Sequence, residues 1–125
     1  MTILALDLGA KRTGVAVAKE GHVFGRDTIA GWENYEELLS NIRDIISTDN
    51  TEKVVVGVPK SQSGDAERRV VDIADKLQSS TGVTFDKVDE TLTSSEANRR
   101  LGSSNGEKDD NAEAAKIILE DYLAR

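Results

Sequence analysis

Carboxylates are the residues of this chain best placed to do chemistry, and they gather at three points. Asp7 closes the apolar run Ile3–Leu8, where Ile3, Ala5 and Asp7 share one face of a strand. A charge ending an apolar row is expensive to bury unless it meets a cation or hydrogen-bond donors. Asp89-Glu90 ends another predicted strand, and alternation sends these two side chains to opposite faces, so only one can reach a shared site. Asp109-Asp110 opens the last helical pattern, where capping and the helix dipole already favour acids. Each point taken singly has an ordinary structural use, as a turn cap, a polar strand end or a helix start. Converging, they form an oxygen-only ligand set. With no cysteine and His22 as the single histidine, such a set suits hard Mg²⁺ or Mn²⁺ and not zinc. Two such ions about 4 Å apart activate water and stabilise the leaving oxygen of a phosphodiester. Clustered like charges also need the metal, since without it they repel and titrate together.

The neighbours of these acids fit the same chemistry. Gly9 leaves room for close backbone approach beside Asp7, and Lys11 and Arg12 follow on the same loop, within reach of a phosphate. Ser61, Ser63 and Gly64 offer backbone N–H groups to phosphate, but the Gly-Lys-Ser/Thr ending of a P-loop is absent. His22 falls in a hairpin and reads as structural or exposed. Trp32 and Tyr35 flank the start of a helix and read as packing residues.

The elements that must position these groups are legible from periodicity. Ile3–Leu8, Thr13–Ala18 and His22–Ile29, with a turn at Glu20-Gly21, predict an antiparallel three-strand meander. Tyr35, Leu38, Leu39, Ile42, Ile45 and Ile46 mark an amphipathic helix. Lys53–Val58 is nearly pure valine, the pattern of a central strand covered on both faces, and Pro59 ends it. Val70, Ile73, Ala74 and Leu77 predict a second helix ending near Gly82, followed by a strand over Val83–Glu90. Thr93 with Glu96 forms a capping box for a short helix through Leu101; Gly102–Lys108 reads as mobile; the last helix buries Ala115, Ile118, Leu119, Tyr122 and Leu123. This order predicts one α/β domain over 1–125, a five-stranded mixed sheet with three antiparallel N-terminal strands and two parallel ones, flanked by helices.

A chain of 125 residues with 38% hydrophobic and 31% charged residues reads as a soluble single domain. The lack of cysteine excludes a disulfide scaffold and thiol catalysis, and fits a cytoplasmic protein. No apolar run approaches the ~20 residues of a membrane span, so no membrane partner is expected. The net charge of −7 argues against nonspecific polyanion binding. Its distribution matters more: residues 1–26 carry +2 and residues 27–52 carry −6, the latter expected on the solvated face of one helix.

The motifs resemble a known family. Asp7-Leu8-Gly9-Ala10-Lys11-Arg12-Thr13-Gly14-Val15-Ala16 is similar to the D-x-G-x-K-R-x-G-V-A opening of the YqgF/RuvX-type proteins of the ribonuclease H-like superfamily. Val55-Val56-Gly57-Val58-Pro59 with Gly64, Asp89-Glu90-Thr91-Leu92-Thr93, and the Ala114-Ala115, Ile118-Leu119, Tyr122-Leu123 ending resemble its other three blocks, in order. The resemblance implies a ribonuclease H-like fold and a bacterial cytoplasmic nuclease that uses Mg²⁺ or Mn²⁺. Its substrate would be nucleic acid: structured RNA, at the 5′ end of precursor 16S rRNA, or branched DNA, as a Holliday junction resolvase. It makes Asp7 and Glu90 catalytic metal ligands; Asp109 or Asp110 completes the set, Asp110 being the expected third because it lies nearer the family position. Gly9, Lys11, Arg12 and Thr93 are the residues expected to meet substrate phosphate. Two departures stand out: Thr91 replaces the family arginine, and the family's third acid aligns with Asn111, one residue after Asp110 and two after Asp109. A module that keeps the fold and has lost catalysis is therefore the main rival. A second rival, the actin and sugar-kinase fold, shares the D-x-G opening but clamps nucleotide between two such domains. The chain is expected to act as a monomer or a homodimer, a two-fold junction substrate calling for the latter.

Overall fold

The computed structural model describes residues 2–58, 64–89 and 110–124. Its strands are β1 (Thr2–Asp7), β2 (Arg12–Lys19), β3 (His22–Ala30), β4 (Thr51–Val58) and β5 (Thr84–Asp89). Its helices are α1 (Tyr35–Asp49), preceded by a 3₁₀ turn at Trp32–Asn34, then α2 (Asp65–Thr81) and α3 (Asp110–Leu123). The expected meander is present, with β2 antiparallel to both β1 and β3. β4 pairs parallel to β1, and β5 parallel to β4, giving the order β3-β2-β1-β4-β5. The valine strand is thus internal, as its doubly apolar composition requires.

The hairpin between β2 and β3 turns at Glu20 and Gly21, both at positive φ, the backbone that suits the twist of a two-residue connection. α1 and α2 end on Asn50 and Gly82 in the left-handed conformation, each N–H closing onto a carbonyl four residues back. α2 starts at Asp65, five residues before the first apolar position of its stripe, because its first turn is polar. Of the acids of residues 27–52, Glu36, Glu37 and Asp44 are exposed on α1 as expected, but Asp27 lies on β3, Glu33 in the 3₁₀ turn and Glu52 on β4, and Asp49 pairs with Arg26.

Each face of the sheet is covered. Leu4, Leu6, Leu8, Val15, Val17, Val54 and Val56 pack against Leu38 and Ile42 of α1 and Ile73 and Leu77 of α2. On the other face Ala5, Ala16, Ala18 and Val55 lie under Ala115, Ile118 and Leu119 of α3. Gly25 of β3 continues this row of small residues, and a side chain there would meet Ala112 and Lys116. The short helix expected from Thr93 and the mobile segment expected at Gly102–Lys108 lie outside the described residues.

Candidate active site

Asp7 is the last residue of β1, paired with Gly14 across the hairpin and half-buried. Ile3 and Ala5 pack on the α3 side, so alternation puts Asp7 on that side too. The parallel strands β1, β4 and β5 all end at this edge of the sheet, the place where α/β sheets build sites. α3 points its N-terminus toward the same edge. Its Ala112 and Lys116 lie over Gly25, while Tyr122, near its other end, reaches Lys53 at the start of β4. The helix therefore runs diagonally across the sheet, from β3 at its N-terminal part to β4 and β5 at Tyr122, and Asp110 is its first residue.

Backbone contacts fix the loop after Asp7. The N–H groups of Gly31, Trp32 and Glu33 donate to the carbonyls of Lys11 (3.0 Å), Gly9 (3.0 Å) and Ala10 (2.9 Å). A Cβ at Gly31 would collide with the Gly9 and Ala10 carbonyls, and one at Gly9 with the Arg12 carbonyl. Both glycines are there for close approach, neither for a positive φ. Lys11 on this fastened loop and Arg12 at the start of β2 are exposed.

Of the residues expected from the sequence, Asp7, Gly9, Lys11 and Arg12 thus occupy one end of the sheet, and Asp110 opens the helix aimed there. Glu90, Thr93 and Asp109 lie outside the described residues. Among the described residues no three acidic or histidine side chains cluster tightly enough to hold a metal ion. His22 is exposed at the far end, tilted against the Phe24 ring at 6.2 Å, away from Asp7.

Three features were not singled out from the sequence. Gly31 joins the 3₁₀ turn to the Asp7 loop; its only signal was a glycine directly before Trp32. Trp32 packs against the core as expected, but its ring also lies 5.6 Å beneath the Arg69 guanidinium. Lys53 donates to the Tyr122 hydroxyl (3.0 Å), which donates to Asp86 (2.6 Å), tying the C-terminal part of α3 to β4 and β5. The Tyr122 hydrogen bond, reinforced by the charge of Asp86, raises the Lys53 pKa above its ordinary 10.5. No spacing rule could pair residues 69 positions apart.

The RuvX family model, described as Holliday junction resolvase, matches residues 1–125. The chain belongs to this family. A Bordetella avium protein named "Putative pre-16S rRNA nuclease" is 35% identical over 99% of this chain and 95% of its own length. A Flavobacterium psychrophilum protein of the same name is 32% identical over 98% and 96%. Among solved structures, T. thermophilus RuvC in complex with a Holliday junction substrate superposes with a TM-score of 0.67 at 12% identity, covering 99% of this chain and 95% of that one. That likeness carries the fold: the RuvX chain has the ribonuclease H-like architecture that its motifs implied.

Proposed function

We propose that the chain is a divalent-metal-dependent nuclease that hydrolyses phosphodiester bonds at the Asp7 end of the sheet. The observation that carries this is a full-length family match whose first motif acid, Asp7, stands on the α3 face where the strands end. The donor set fits a hard cation: carboxylates only, no cysteine in the chain, and the one histidine at the opposite end. Asp7, Glu90 and Asp110 would hold Mg²⁺ or Mn²⁺, which when bound activates water and stabilises the leaving oxygen. Glu90 is preferred to Asp89 because the motif resemblance places the second acid there. Gly9, Lys11, Arg12 and Thr93 would bind substrate phosphate, the two cations placing the backbone without reading sequence.

The names of the relatives favour precursor 16S rRNA as substrate, and the proposed location is the cytoplasm. The family description and the RuvC fold keep a four-way DNA junction as the second reading. Asn111 and Thr91, where the resemblance has an acid and an arginine, mark the third, a binding module without catalysis. The deciding experiment is cleavage by purified protein of a precursor rRNA 5′ fragment and of a four-way junction, each with Mg²⁺ or Mn²⁺. Metal-dependent cutting of the RNA alone is expected. Cutting of the junction alone would reverse the substrate assignment, and no cutting of either would leave the binding module.

A further inference from the structure

We propose that Trp32, with Arg69 over its ring, is a stacking site for an unpaired nucleotide of the substrate at the Asp7 end of the sheet. The inference rests on the nuclease reading and adds a substrate class to it. Trp32 is the only tryptophan of the chain and one of only five aromatic residues of the Phe, Trp and Tyr types. Its backbone N–H is bonded to the Gly9 carbonyl, two residues beyond Asp7, so the main chain that carries the ring is fastened to the Asp7 loop. One edge of the indole packs on the core formed by α1, α2 and the sheet. The guanidinium 5.6 Å above the ring belongs to Arg69, which is exposed on the second turn of α2, and Trp32 itself is half-buried. Arg68 next to it is paired with Asp65, whereas Arg69 turns to the ring.

This assembly offers a flat π surface, a planar cation that can slide aside or stack in turn, and two exposed cations, Lys11 on the fastened loop and Arg12 at the start of β2. Aromatic faces and guanidinium planes are the groups on which unpaired bases stack, in RNA and DNA alike. A base inside a duplex has both faces occupied by its neighbours, so the site selects an unpaired or splayed nucleotide. Trp32 lies on the α1/α2 side and Asp7 on the α3 side of the same sheet end. A strand crossing that end with a phosphate at Asp7 would lay one of its bases on Trp32.

The single tryptophan makes the test direct. Intrinsic emission is titrated, without divalent metal so that nothing is cut, with a 12-nucleotide single-stranded RNA, the matching single-stranded DNA, and the blunt duplex of each. Quenching by single strands and not by duplexes is expected. Preference for RNA or DNA would identify which sugar the neighbouring contacts read. By labelled-oligonucleotide anisotropy, Trp32→Leu should weaken single-strand binding about tenfold, Arg69→Ala by less, and Trp32→Phe should keep most of the affinity. No quenching, equal quenching by duplex, or unchanged binding by Trp32→Leu would overturn the proposal. If Trp32→Leu is unfolded by circular dichroism, the quenching comparison with the unaltered protein decides alone. Failure of the nuclease reading would show separately, as no Asp7-dependent cleavage in Mg²⁺ or Mn²⁺ while single-strand quenching persists.

Discussion

The two faces of the sheet are built from differently sized residues. Toward α1 and α2 the strands present Leu4, Leu6, Leu8, Val15, Val17, Val54 and Val56, all at most 4% exposed. Toward α3 they present Ala5, Ala16, Ala18 and Gly25, with Val55 the one larger buried residue of β1, β2 and β4 on that side. Hydrophobic stabilisation scales with apolar area removed from water, at roughly 25 cal/mol per Å². The leucine and valine face is therefore where the fold gains most of its stability. The alanine face gains less area but lets a helix lie close to the strands, and that helix aims its first residue, Asp110, toward the Asp7 end. One face supplies most of the buried area, and the other lets α3 lie close to the strands.

Substitutions should separate the two roles. The largest effect is expected from Asp7→Asn: cleavage falls to background in a metal-dependent assay while circular dichroism shows the fold retained. Activity equal to the unaltered protein would break the assignment of the site to the alanine face. Next, Leu77→Ala, fully buried between α2 and the opposite face, should cost about 2–5 kcal/mol in urea unfolding. Cleavage per folded molecule should change little. Ala16→Leu should cost less, about 1–3 kcal/mol, by forcing α3 outward. Its activity loss should nevertheless exceed that of Leu77→Ala, and the reverse ranking would erase the distinction between the faces. The smallest effect concerns the Lys53–Tyr122–Asp86 link at the far end of α3. Because folding raises the Lys53 pKa, its contribution to stability is present in full below pH 10.5 and is lost as pH climbs through the higher folded value. Tyr122→Phe should therefore lower the thermal midpoint slightly at pH 8, and the gap should close above pH 10.5.

The architecture was readable because each face leaves a period in the sequence. Valine on both parities of residues 54–58 marks an internal strand, and the 3–4 spacing from Leu38 to Ile46 marks the inward stripe of α1. Asp7 was readable for the opposite reason, as a charge that breaks an apolar row. What escaped reading depends on contacts between distant segments. Gly31 looks like any loop glycine until the Gly9 and Ala10 carbonyls are placed against it, and Tyr122 looks like one more apolar position until Lys53 and Asp86 meet its hydroxyl. The rows of alanine on β1 and β2 carried a signal that periodicity scoring ignores, since small residues mark close approach as well as burial.

The turn at Glu20-Gly21 has a practical corollary. It is exposed, a Cβ at Gly21 would meet nothing within 4 Å, and it lies at the end of the β2–β3 hairpin opposite the Asp7 loop. Neither helix layer depends on its side chains. An affinity tag, a fluorophore or new chain termini introduced there would be tethered at the base of the molecule, and a surface-immobilised sample would present its Asp7 end to solution. The fastened loop between β1 and β2 offers no such freedom, since any added residue would have to break the bonds that Gly31, Trp32 and Glu33 make to it.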